Sequence, residues 1–180
     1  MSIQATDLEF RFSAPDASAG DQFDQDTPGL SLGRYVSTTV WAGGVLHDLF
    51  AAVSGADNLA GKIEYRCLFI VNKHATLTWT GPVIWFSTDT QAGSAEIAMG
   101  LDPTGASALT STAEQARAVA NATSAPAGVG FSKPLSQGAG LVLGDIPPGY
   151  CKAFWLRRTA QNSLALAGES CTISASGNTL

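Results

Sequence analysis

Two histidines, ten basic residues and a charged fraction of 14% leave this 180-residue chain with few groups able to move protons. It contains no P-loop, no GxGxxG and no HExxH, so neither a nucleotide cradle nor a zinc-protease helix is expected. The basic residues are scattered, with only Arg157 and Arg158 adjacent, and the net charge is −5. Phosphate binding needs clustered Lys and Arg, so no nucleic-acid partner is expected. No apolar run is long enough for a membrane helix, and residues 1–11 lack the basic start and apolar middle of a secretory leader. The expectation is therefore no membrane partner. Cys67, Cys151 and Cys171 are odd in number and show no CxxC spacing. They read as small apolar side chains in a reducing compartment.

What the chain does have is 45% hydrophobic residues and 19 glycines, with the apolar residues in short runs. Leu8, Phe10 and Phe12 alternate with Glu9 and Arg11, which predicts a half-buried strand. Residues 13–29, carrying Asp16, Asp21, Asp24 and Asp26, are too poor in apolar groups to order themselves and read as an acidic arm. Residues 30–41 read as extended, and 47–54 as a short helical turn stopped by Gly55. Residues 63–72 (IEYRCLFIVN) are the clearest strand. Tyr65, Cys67, Phe69 and Val71 fall on one face and Glu64, Arg66, Leu68 and Ile70 on the other, a central-strand pattern. A turn at 72–75 would pair it in a hairpin with 76–86, where Gly81-Pro82 predicts a bulge or an edge. Further strands are expected at 95–101, 141–143, 150–159 and 169–176, while 113–123 stays open between helix and loop. The sum is an all-β chain: an Ig-like or jelly-roll antiparallel β-sandwich with a long N-terminal arm. One domain is expected overall, with residues 1–34 as strand and acidic arm and 35–180 as the sandwich.

Four patterns carry potential chemistry. Gly29-Leu30-Ser31-Leu32-Gly33 matches the GxSxG of hydrolases, but that elbow needs a strand before the serine and a helix after it. Here an acidic loop precedes and a strand follows, so no catalytic residue is assigned and no enzyme is expected. His47-Asp48 is one imidazole beside one carboxylate, short of the three or four donors zinc requires, and His74 reads as a turn residue. Asp21, Asp24 and Asp26 lack the fixed carbonyls of a calcium loop. No metal site and no cofactor is expected. Trp79, Trp85 and Trp155 alternate with neighbours as core residues do, while Trp41, ahead of Gly43-Gly44, is the candidate exposed anchor. The candidate partner contacts are Asp16, Asp21, Asp24, Asp26, Tyr35 and Trp41.

Several segments together resemble a group of tailed-bacteriophage virion proteins. They are EFRFS (9–13), SLG (31–33), GKIEYRCLFIVN (61–72), AMGLDP (98–103), APAGVGF (125–131) and LGDIPPGYCKAFWLRRT (143–159). The resemblance spans most of the chain in order and includes no catalytic motif. It implies a non-enzymatic structural subunit on a virion assembled in the host cytoplasm. A capsid decoration or cement protein is the first placement, and a tail, baseplate or fibre-attachment subunit the second. The implied partners are other virion proteins and further copies of the chain in a homo-oligomer. A carbohydrate-binding sandwich using the tryptophans is the alternative from another class.

Overall fold

A computed structural model of the chain describes residues 2–18, 21–22, 27–89, 95–161 and 169–180. In chain order its strands are β1 (Leu8–Ala14), β2 (Ala17–Ser18), β3 (Asp21–Gln22), β4 (Tyr35–Val40), β5 (Ile63–Asn72), β6 (Trp79–Asp89), β7 (Ala95–Leu101), β8 (Ser107–Ala108), β9 (Leu141–Val142), β10 (Tyr150–Ala160) and β11 (Cys171–Thr179). A five-residue helix, α1 (Gly55–Leu59), precedes β5. The chain is an all-β antiparallel sandwich. The larger sheet runs β4-β1-β5-β10-β7, with β8 also paired to β10, and the smaller runs β11-β6-β9.

β5 is central because its two faces are both apolar. It pairs with β1 (Phe12 opposite Leu68) and with β10 (Trp155 opposite Cys67). Leu68 and Ile70 of β5, with Phe154 and Leu156 of β10, face the smaller sheet and pack with Trp79, Ile84 and Phe86. Each such buried side chain contributes roughly 1.5–3 kcal/mol over its exposed state. Tyr65, Cys67, Phe69 and Val71 point the other way, with Cys151, Ala153 and Trp155. Among the described residues no second sheet covers that face. Leu109, Ala116, Val119, Val129 and Phe131, from the irregular stretch between β8 and β9, close it. The molecule is thus three layers deep: small sheet, large sheet, loop.

The loop layer explains why 113–123 carries no clear period. Its backbone bonds to residues 32–34 rather than to a ladder of its own, and the Gln115 side chain ties it to β4 and β8. Gln115 Oε1 accepts from Val36 N at 2.9 Å and Gln115 Nε2 donates to Ala108 O at 2.7 Å. Gln115 and Ala116 N–H groups both donate to Arg34 O.

Four expectations are corrected. β5 and β6 are not a hairpin, because both edges of β5 are already taken by β1 and β10. The chain instead arches between sheets. Asn72 Nδ2 donates to Leu77 O and Ile146 O, and His74 Nδ1 accepts from Thr76 N and Leu77 N. The helix lies at 55–59, not 47–54. Ser54 is its N-cap, accepting from Asp57 N at 3.1 Å, and Gly55 begins it rather than ending another. Trp85 is not core: Ile84 and Phe86 turn inward, so Trp85 lies half-buried on the outer face of the small sheet. Within the stretch read as an arm, Ser13 and Ala14 are buried in β1, and β2 pairs with β3. The bulge at Gly81-Pro82 is present. Ser176 faces Val83 and Asn178 faces Thr80, which leaves two β6 residues opposite Gly177.

Candidate functional site

The GxSxG segment is a lock, not an elbow. Ser31 is 0% exposed. Its hydroxyl donates to Cys67 O and accepts from Ser13 N at 2.9 Å, and Ser13 Oγ accepts from Gly33 N at 2.7 Å. Gly33 has φ +90, and a Cβ there would fall 1.8 Å from Arg117 O. The serine is needed to satisfy buried backbone groups, and the second glycine to let the loop layer approach. Neither histidine is bonded to Ser31. His47 stands exposed in the loop after β4, and His74 belongs to the inter-sheet arch.

Under the same face lies a buried polar cluster around Asp102. Its Oδ2 accepts from Trp155 Nε1 and from Arg117 N, each at 2.8 Å, and its Oδ1 accepts from Thr104 N at 2.9 Å. Lys152 Nζ donates to Asp102 O at 2.8 Å and also to Thr104 O. Burial lowers the Lys152 pKa, and the nearby Asp102 carboxylate works against that shift. Every donor is used to hold the loop after β7, so the cluster is mortar between layers. The three thiols are free. Burial raises Cys67 well above its ordinary range, Cys151 to about 12 and Cys171 to about 11. Raised this far, the thiols stay protonated at neutral pH, and Cys67 and Cys151 are fully buried. Among the described residues no three His, Cys, Asp or Glu side chains converge as metal ligands.

A second charged cluster sits at the start of β5 and the end of β10. The Phe50 ring lies between two guanidinium groups, Arg66 at 5.1 Å and Arg158 at 4.9 Å from its centroid. Glu64 pairs with both arginines, and Arg158 Nη1 donates to Ala51 O at 2.6 Å. Arg66 is 4% exposed, and burial lowers its pKa while Glu64 opposes the shift. Glu64 and the aromatic face stabilise the buried charge, and the cluster pins the segment that leads into α1.

The expected partner contacts divide. Asp16 is exposed between β1 and β2, and Asp21 lies in β3. Asp24 and Asp26 lie outside the described residues. Tyr35 opens β4 and is half-buried. Trp41 is not the exposed anchor. Its ring meets Phe10 edge-on at 6.2 Å, and its Nε1 donates to Asp48 Oδ2 at 2.9 Å. Its neighbours Val45 and Leu46 are exposed instead, among other apolar residues such as Leu59, Leu135 and Val142. The signal for Val45 and Leu46 was Gly43-Gly44, a turn placed directly before two apolar residues. A second surface also went unseen, a shallow groove of about 430 Å³ lined by Arg34 as well as by Pro15, Leu30, Leu32, Ala118 and Val119. It opens where the GxSxG segment meets the loop layer.

No protein-family model matches the chain, and no curated protein or solved structure matches it significantly.

Proposed function

We propose that the chain is a non-enzymatic structural subunit of a tailed-phage virion, working through its surface. The observation that carries the non-enzymatic reading is Ser31. The one residue set in a catalytic pattern is sealed beneath the loop layer with its hydroxyl engaged on both sides. Ser31, His74 and Asp48 are spent on holding elements in place, while apolar groups such as Val45 and Leu46 face solvent. That allocation suits a module that docks. The virion assignment rests on the ordered resemblance of segments 9–13, 61–72 and 143–159 to phage structural proteins, and capsid decoration is the preferred placement. A tail or baseplate position is the second.

The carbohydrate-binding alternative loses its platform. Trp79 and Trp155 are core residues, and Trp41 spends its indole N–H on Asp48. Trp85, half-buried like Trp41, lies on the outer face of the small sheet.

Fractionation tests the proposal. The chain should remain with particles through density-gradient purification and separate with heads when heads are parted from tails. Heads stripped of it should break at lower temperature. Recovery only in the soluble fraction would refute the proposal, and recovery with tails would select the second placement.

A further inference from the structure

β11 closes the small sheet on one side only. It pairs with β6, and among the described residues no backbone group bonds to its other edge. Ile3 N reaches the end of the strand but bonds to the Thr179 hydroxyl at 3.2 Å, not to its backbone. Elsewhere the sheet edges are covered or short. On β4, Val36 N donates to Gln115 Oε1 at 2.9 Å and Thr39 N to Ser37 Oγ at 3.1 Å. On β7, Met99 N donates to Ser132 O at 2.8 Å, and Ser132 N donates back to Met99 O at 2.9 Å. β9 is two residues long. Proteins blunt an exposed edge with a charge, a proline or a bulge. The nine residues of β11, CTISASGNT, include no charge and no proline. Its ladder with β6 is irregular twice, and each time the additional residue lies on β6. Ser87 is passed over between the partners of Thr172 and Ile173, and two β6 residues oppose Gly177. The free side of β11 is therefore regular, a row of N–H and C=O groups spaced to receive another strand.

The strand is fitted to pair with itself. Cys171, Ile173 and Ala175 pack on the core, so Thr172, Ser174 and Ser176 face outward. When two copies meet antiparallel about a two-fold axis and keep the core face continuous, odd-numbered residues oppose odd and even oppose even. Apolar Ile173 and Ala175 then meet the partner's odd-numbered residues, and hydroxyls meet hydroxyls. No register sets like charges opposite each other, because the strand holds none. The same hydroxyl pairing already joins β11 to β6. Thr88 Oγ1 donates to Thr172 Oγ1 at 2.7 Å, and Ser174 Oγ donates to Ser87 Oγ at 2.8 Å.

We propose that β11 of one copy pairs antiparallel with β11 of a second copy across a two-fold axis. The two small sheets then run on as one, in the order β9-β6-β11-β11-β6-β9. Such an isologous contact uses the same edge on both copies, so it closes as a dimer and does not grow into a fibre. Main-chain hydrogen bonds supply the affinity, and the alternation of apolar and hydroxyl side chains sets the register. The pairing deepens the reading of the chain as a structural subunit that assembles with its own copies, and rests on it. Particle fractionation tests that reading, whereas the solution measurements below test the pairing alone.

Analytical ultracentrifugation of the full chain should give the mass of two copies at about 0.1 mM protein. Ser174→Lys and, separately, Thr172→Lys bring like charges to the shared edge, and each should weaken the dimer about tenfold or more. Both side chains face outward, so an unchanged circular dichroism spectrum confirms that the fold survives. Amide exchange in residues 171–176 should slow as the parent chain is concentrated, while that of β5 stays the same. A parent that remains monomeric at this concentration would overturn the pairing. So would a dimer that both lysine variants leave intact. Protection of residues 171–176 only when the chain is bound to particles would also overturn it, and would assign the edge to a strand of another protein.

Discussion

The indole N–H of Trp155 donates to Asp102 Oδ2 at 2.8 Å, and both residues are shielded from solvent. Trp155 belongs to the large sheet, and Asp102 opens the stretch that covers it. The bond adds a side-chain tie where the β7–β10 ladder ends, just past Leu101 opposite Phe154 and beside the Asp102 N to Ala153 O bond. Asp102→Ala would strand the indole N–H together with the Arg117 and Thr104 amides. The expected loss is about 3 kcal/mol of unfolding free energy, read by urea denaturation. Trp155→Phe keeps most of the packing and should cost less than Asp102→Ala.

Ser31→Ala should cost about 1–2 kcal/mol, because Ser13 N and Cys67 O lose a shared buried partner. Gly33→Ala should cost more than Ser31→Ala. Its Cβ meets Arg117 O, and the left-handed backbone adds strain. Ester hydrolysis assays on parent and Ser31→Ala should give the same background rate.

Phe50→Ala should cost about 3–5 kcal/mol, since it opens a core cavity and removes the aromatic face between Arg66 and Arg158. Trp41→Phe keeps the contact with Phe10 but loses the bond to Asp48, and should cost about 1 kcal/mol. Hydrogen exchange should quicken in residues 42–48 of Trp41→Phe, and across the segment up to α1 in Phe50→Ala.

Alkaline pH should destabilise the fold through its thiols. Burial raises Cys151 to about 12 and Cys171 to about 11 from an ordinary 9.0, and Cys67 shifts the same way. The unfolded chain gives up these protons first, so the stabilisation is complete below pH 9 and is lost as pH rises through 11 and 12. Urea midpoints measured between pH 8 and 11 should fall less steeply in Cys151→Ala than in the parent.

Much of the architecture was readable wherever alternation was strict. In β5 the period of two assigned Leu68 and Ile70 to one face and Cys67 and Phe69 to the other, and a strand apolar on both sides has to be central. The β5–β6 pairing was not readable, because nearness in sequence favours a hairpin. Only the three-dimensional fact that β1 and β10 occupy both edges forbids it. Likewise GxSxG looks the same whether it serves an elbow or a lock. The deciding contacts, from Ser13 and to Cys67, span 18 and 36 positions. The loop after β4 was half visible. Gly43-Gly44 marked the turn, but Trp41 drew attention as the largest ring, when its size is what fits it to brace the loop.

The most direct test is the copy number of the chain on gradient-purified particles, measured by quantitative mass spectrometry. A repeated structural subunit should be present in many copies, in a fixed ratio to the main shell or tail protein. Absence from particles, together with a turnover in the purified chain that Ser31→Ala removes, would contradict it.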